Sequence, residues 1–137
     1  MEIIEFGNPI LRKISKEVKL SDITSEKIQK LIRDLLHACD EHPMGVGIAA
    51  PQIGIELRIF VIKTKQTEGR PDLKPRTRIC INPVISEFMG QKTLLWDACL
   101  SEGKEPMFAQ TERYTKLKVE YLNQDGKQEN ENLSGFL

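Results

Sequence analysis

Between residues 25 and 40 the apolar side chains Ile28, Leu31, Ile32, Leu35, Leu36 and Cys39 recur at i, i+3, i+4, i+7, i+8 and i+11. That spacing lines them along one stripe of an α-helix and predicts a helix over 25–40. Glu26, Lys30, Arg33 and Asp34 fall off the stripe and are expected to face water. His42-Pro43 follows, and the residue before a proline disfavours helical backbone, so the helix is expected to end there. A helix with a single apolar face must cover it with another layer. What the rest of the chain offers as cover therefore decides the fold class.

The rest of the chain is β-prone. Residues 57–62 read as a buried strand, and Ile48-Ala49-Ala50 as a short one between glycines and Pro51. Residues 78–82, 84–88 and 92–99 read as separate β-rich segments broken by Pro83 and Gly90. Leu117, Val119 and Tyr121 alternate with Lys118 and Glu120, which predicts a half-buried strand over 116–122. Asn123-Gln124-Asp125-Gly126 is a turn signal, and 127–132 can return as the second arm of a hairpin. Residues 64–77 carry Gly69, Pro71 and Pro75 with no apolar period and read as a surface loop. Near the start, Asn8-Pro9 resembles a cap and a first helical position, and predicts a short helix through Ile10, Leu11 and Ile14. The expected class is α+β: one amphipathic helix packed with several short, mainly antiparallel strands.

Bulk chemistry narrows the function. Lys plus Arg number 20 and Asp plus Glu number 20 among 137 residues, so no excess positive charge favours a nucleic-acid partner. The apolar runs fall well short of the roughly 20 residues a membrane helix needs. The opening Met1-Glu2 is not followed by an apolar leader segment. Cys39, Cys80 and Cys99 are too scattered for a disulfide framework, which points to a reducing, cytoplasmic setting.

Two local strings carry chemistry. In Gly45-Val46-Gly47-Ile48-Ala49-Ala50-Pro51-Gln52, glycines one residue apart allow close approach of another backbone. The string is either a turn feeding a core strand or a strand edge that accepts an extended peptide, with the Gln52 amide beside it. In Trp96-Asp97-Ala98-Cys99-Leu100-Ser101, Cys99 is a candidate metal ligand, a candidate nucleophile, or a small core residue. A cysteine nucleophile would need a nearby histidine, and the candidates, His37 and His42, belong to the predicted helix.

The two strings together resemble the peptide deformylase family. Gly45 to Gln52 match its first motif at every position and Cys99-Leu100-Ser101 the core of its second. Gly7-Asn8-Pro9 and Leu11-Arg12-Lys13 are similar to its N-terminal segment. Asn82-Pro83 falls where the family carries Asn-Pro, and Ser134-Gly135-Phe136-Leu137 resembles the approach to its third motif. The resemblance covers the whole chain and implies a single deformylase-like domain over residues 1–137. It implies a metal-dependent hydrolase that removes the formyl group from N-terminal formyl-methionine. The family holds Fe²⁺ or Zn²⁺ with one cysteine and two histidines of a His-Glu-x-x-His helix, whose Glu is general base. Carried over, Cys99 is the metal ligand, and Gln52 with the Leu100 N–H stabilises the oxyanion. Val46, Gly47 and Ala98 lie along the substrate, an N-formyl-methionyl peptide.

The third motif has no counterpart in this sequence. His37 and His42 stand in no His-Glu-x-x-His string, and His37 and Cys39 point about 200° apart on a helix. By the resemblance the domain is C-terminally incomplete, lacks its central helix, general base and two metal ligands, and is expected to be inactive alone. Asp97 stands for the family's usual Glu and Ala98 for its usual Gly. Without the central helix, the strands at 57–62 and 117–121 are expected to be left wet, each large side chain forfeiting about 1.5–3 kcal/mol. That predicts an apolar groove prone to self-association. Two further readings follow: a non-catalytic module that binds formyl peptides or regulates, and a half-enzyme completed by a second chain.

Overall fold

The computed structural model describes residues 2–42, 45–66, 68, 71–103 and 108–135. One long helix, α1 (Glu26–Glu41), precedes five strands: β1 (Gly47–Ala49), β2 (Ile59–Thr64), β3 (Arg76–Asp97), β4 (Ala109–Leu122) and β5 (Gln128–Ser134). Single 3-10 turns lie at Pro9–Arg12, Leu20–Asp22, Ala50–Ile53 and Leu100–Glu102. The strands form one sheet in the order β1-β2-β3-β4-β5, and every neighbouring pair is antiparallel. The class is α+β, as the helix followed by alternating segments implies.

Helix α1 starts where its cap dictates. The Ser25 hydroxyl accepts from the Ile28 N–H at 3.4 Å, which serves one of the unpaired N–H groups of the first turn. Ile28, Leu31, Ile32, Leu35, Ala38 and Cys39 are buried, and they share a core with Ile48, Ile59, Val61 and Ile81 of the first three strands. Leu36, expected on the stripe, is half-buried at the edge of this core, and Ala38 is inside instead.

The segment before the helix is tied to the sheet by Asn82. Its amide donates to the Val18 carbonyl at 2.8 Å, and its side-chain oxygen accepts from the Val18 N–H at 2.9 Å. Asn82 itself has φ of 51°, a left-handed conformation that asparagine tolerates better than most residues. The Asn-Pro pair thus has a structural role: it staples an incoming segment to a bent strand.

Four expectations are corrected. The segments on either side of Pro83 and Gly90 are not separate strands; β3 runs through both, with register shifts between Ile81 and Val84 and between Met89 and Lys92. Proline without an N–H and glycine with positive φ make bulges there, which bend a strand without ending it. The helix expected through Ile14 ends at Arg12, and Ile14 is 96% exposed, because no covering layer reaches it. The strands expected to be wet are covered: Ile59 and Val61 by α1, and Val119 and Tyr121 in a second cluster with Cys80, Phe60, Leu117 and Leu133. The exposed apolar side chains lie further along the hairpin instead, at Val84, Ile85, Phe88, Leu94, Leu95 and Trp96. Thr64, Arg76 and Thr77, expected in a loop, are in strands, while Thr67, Gly69 and Arg70 of that loop lie outside the described residues, as do Pro43, Phe136 and Leu137.

The second cluster contains a buried ion pair. Glu131 on β5 accepts from Arg78 Nε at 3.0 Å, from Arg76 Nη2 at 2.9 Å, and from the Tyr121 hydroxyl. Arg78 Nη1 is buried without a hydrogen-bond partner among the described residues. Burial pushes the Glu131 carboxyl up, but the Tyr121 hydroxyl and the two guanidinium groups outweigh it and hold the group below the usual carboxylate range. Burial, with Glu131 nearby, pushes the Cys80 thiol up to about 12.

Two outcomes follow for stability. Glu131→Gln leaves the Arg78 charge buried and unpaired, and denaturant unfolding at pH 7 is expected to show a loss of about 3 kcal/mol. Because the folded-state pKa of Glu131 is lowered, its contribution is present above the ordinary carboxylate range and fades as pH falls, so the gap between wild type and variant should narrow as pH drops below that range. Leu35→Ala is expected to lose about 3 kcal/mol by opening a cavity under α1, and Leu36→Ala at the edge of the core about 1 kcal/mol.

Candidate active site

The two glycines of the first string are required by crowding. A Cβ on Gly45 would lie 2.7 Å from the Cys39 carbonyl oxygen at the end of α1, and one on Gly47 would lie 2.8 Å from the Val61 carbonyl oxygen on β2. Both distances are too short for a side chain, so glycine lets β1 sit directly between helix and strand. The Lys63 N–H donates to the Val46 carbonyl at 2.6 Å, so Val46 already pairs inward through that oxygen. As the first strand of the sheet, β1 has no strand partner on its other edge among the described residues.

After β1 the chain turns at Ala50–Ile53, and Gly54 closes the turn with φ of 84°. The turn folds the Gln52 side chain back so that its Oε1 accepts from the Ala49 N–H at 2.9 Å. The Gln52 carbonyl in turn accepts from the Ile4 N–H at 2.7 Å. The amide nitrogen is left pointing away from β1.

The second string reaches the same place from the far end of β3. There the Asp97 carboxylate accepts from the Thr111 hydroxyl and from Arg113 Nη2 across β4, the latter at 2.6 Å. The Thr111 hydrogen bond, then the Arg113 guanidinium, holds the Asp97 carboxyl below its usual range. The short carboxylate is therefore committed across the strand pair. Ala98 and Cys99 follow, both exposed. The Cys99 N–H donates to Glu102 Oε1 at 2.7 Å, which starts the turn Leu100–Glu102. The Leu100 N–H is at the first position of that turn, where helical backbone supplies no acceptor.

Gln52 and Cys99, 47 residues apart, meet here: Gln52 Nε2 donates to Cys99 Sγ at 3.7 Å and to Ser101 Oγ at 3.2 Å. Ser101 is 1% exposed, and its carbonyl accepts from the Phe6 N–H at 2.8 Å. The N-terminal segment thus touches both strings through Ile4 and Phe6. The sequence reading assigned no role to Ser101, Glu102, Ile4 or Phe6. A glutamate three residues after Cys99 was a legible signal for Glu102, since that spacing lets a side chain reach back to the first N–H of a turn. Nothing in the sequence marked the other three.

The arrangement presents one thiol, one amide N–H donor and one backbone N–H around an exposed surface. Cys99 Sγ is a suitable soft donor for Fe²⁺ or Zn²⁺. A hydrolytic centre needs two further protein ligands, and among the described residues no group of three His, Cys, Asp or Glu side chains is placed to hold an ion. His37 faces outward on α1 beside Glu41 at 3.5 Å, while Cys39 is buried on the other side of that helix. The donors described here do not by themselves fit such a metal. No helix among the described residues is long and apolar enough to cross a membrane.

Residues 1–137 match the polypeptide deformylase family. Peptide deformylase 1A of the chloroplast and mitochondrion of Arabidopsis thaliana is 35% identical over 145 residues, covering 98% of this chain and 53% of that protein. Peptide deformylase of Aquifex aeolicus is 36% identical, covering 98% of this chain and 74% of that one. The Met-Ala-Ser-bound crystal structure of a class I type b peptide deformylase from Acinetobacter baumannii superposes with a TM-score of 0.87 at 30% identity, over 98% of this chain and 83% of that one. The chain thus spans about half the length of the plant relative and about three quarters of the Aquifex one. On the match along its whole length, the shared fold and the meeting of the two strings, the chain belongs to the polypeptide deformylase family.

Proposed function

We propose that this chain supplies the substrate-binding and oxyanion-stabilising part of a deformylase centre acting on N-formyl-methionyl peptides. The observation that carries this is the convergence of Gln52 Nε2 and Cys99 Sγ at 3.7 Å beside the Leu100 turn. Hydrolysis of a formamide places negative charge on the formyl oxygen. An amide N–H from Gln52 and the Leu100 N–H are donors of the type that stabilises such charge, because they are held in place before it develops. The open edge of β1 at Gly47, with Val46 just before it, suits an extended peptide backbone, and Ala98 is proposed to lie along that peptide. The bound Met-Ala-Ser in the Acinetobacter relative supports a peptide ligand of that length.

A bound Fe²⁺ or Zn²⁺, which the resemblance to the family implies, would supply an activated water, and Cys99 is the one residue here proposed as its ligand. The two nitrogen donors and the general base are not provided by His37 or His42, which belong to the end of α1. The 137-residue polypeptide alone is therefore proposed to be inactive, a half-enzyme that a segment carrying His-Glu-x-x-His would complete. Exposed apolar side chains at Phe88, Leu94 and Trp96 favour self-association of the isolated chain. The exposed, unpaired Cys99 thiol suits a reducing compartment such as the cytoplasm.

Calorimetry with formyl-Met-Ala-Ser and Met-Ala-Ser tests the binding half. The formyl peptide is expected to bind about fivefold more tightly, the worth of roughly one hydrogen bond of 1 kcal/mol, with the preference abolished in Gln52→Ala. Equal binding of the two peptides by the wild-type chain would overturn the reading. For the catalytic half, the chain supplied with Zn²⁺ or Fe²⁺ should release no formate, and release should begin when a peptide bearing the His-Glu-x-x-His motif is added. Turnover by the chain and metal alone would refute the claim of inactivity.

A further inference from the structure

We infer that Ser101 is a positioning residue that locks the Gln52 amide in the orientation its proposed role requires, with the segment Ile4–Phe6 as the brace behind both. This deepens the reading above and rests on Gln52 being the side-chain oxyanion donor.

A glutamine amide has two nearly symmetrical ends, and only its hydrogen-bond partners decide which way it faces. Here one partner decides the choice and the other holds it. The Ala49 N–H is a donor only, so the oxygen end must face it, as it does at 2.9 Å. The Ser101 hydroxyl at 3.2 Å takes the nitrogen end and accepts one of its two protons. The second proton is then directed to the side of Cys99 Sγ, 3.7 Å away. One N–H is held by Ser101, and the other lies at the site, where it donates weakly to the Cys99 sulfur. Without Ser101 Oγ the nitrogen end has no oxygen acceptor among the contacts described, and rotation about the last side-chain bond is restrained from one end only.

Ser101 can act this way because it is buried and its backbone is held. It is 1% exposed, and its carbonyl accepts from the Phe6 N–H at 2.8 Å. Two residues earlier in the same segment, the Ile4 N–H donates to the Gln52 carbonyl at 2.7 Å. The three residues Ile4 to Phe6 therefore set the separation between the backbones of Gln52 and Ser101, which are 49 positions apart in sequence. The brace fixes the backbones and the hydroxyl fixes the rotamer.

Side-chain amide hydrogen exchange on the ¹⁵N-labelled full chain tests this without depending on turnover. The Gln52 NH₂ pair is assigned by its absence in Gln52→Ala. In the wild type its protons are expected to exchange at least tenfold more slowly than those of the exposed Gln110 and Gln124. In Ser101→Ala, with the backbone spectrum otherwise retained, they should exchange within about twofold of those two residues. Ser101→Cys, which keeps the bulk and weakens the acceptor, should fall between. Wild-type exchange at the exposed rate, or slow exchange that survives Ser101→Ala, overturns the inference. Calorimetry adds the consequence: Ser101→Ala should reduce the preference for formyl-Met-Ala-Ser at least threefold in the wild-type background and not at all in Gln52→Ala. An equal reduction in both backgrounds overturns the positioning role. A wild-type chain that ignores the formyl group while the Gln52 protons stay slow refutes the functional reading and leaves the lock standing.

Discussion

A 16-residue helix with all its large apolar side chains on one side has to bury that side, and α1 does so against β1, β2 and β3. Each fully buried Leu or Ile contributes about 1.5–3 kcal/mol, so this contact is the main source of the fold's stability. It also sets the geometry of everything nearby. The end of α1 approaches the next segment so closely that Gly45 has no room for a Cβ against the Cys39 carbonyl. Gly47 meets the same limit against Val61 on the other side. With β1 wedged between helix and strand, the turn after it has one place to go, and Gln52 arrives beside the sheet edge.

The opposite side of the sheet is organised differently. Its cluster of Phe60, Cys80, Leu117, Val119, Tyr121 and Leu133 is smaller, and a charge network of Arg76, Arg78 and Glu131 runs through it. Charges that are mostly out of water stabilise little on balance, yet losing one partner is costly, so such a network specifies strand pairing more than it strengthens it. It fixes β5 against β3 across β4, since Glu131 on β5 reaches both arginines on β3. Farther along the β3–β4 hairpin, from Val84 onward, cover runs out. Phe88 and Tyr114 pack with their rings tilted by 40° at 5.1 Å between centres, with Lys92 over the Tyr114 ring, but Leu94 and Trp96 face solvent.

At the candidate site backbone and side chains divide the work. The N-terminal segment, the two 3-10 turns and the glycines hold the frame through main-chain contacts. A few short side-chain contacts then orient the groups that face outward: Ala49 and Ser101 on Gln52, Glu102 on the Cys99 N–H, and Thr111 with Arg113 on Asp97. Rigid support of this kind is what a donor needs if it is to meet developing charge without first reorganising.

Much of the fold was legible in the sequence because it depends on local rules. The apolar period located α1, the alternation at Leu117, Val119 and Tyr121 located the second half of β4, and Asn123 to Gly126 located the last turn. The motif strings located Gln52 and Cys99. What the sequence misjudged were features in which local preference competes with pairing. Pro83 and Gly90 ordinarily interrupt a strand, but a long partner in β4 turns them into bulges inside a continuous β3. The cover over Val119 and Tyr121 comes from residues contributed by three other strands, which no periodicity reveals. The contact of Gln52 with Ser101, and of Ile4 and Phe6 with both turns, joins segments far apart in the chain. Side-chain type and spacing determined which elements form and which residues are able to do chemistry. Only the packing of helix against sheet, which acts across sequence distance, decided which of them touch.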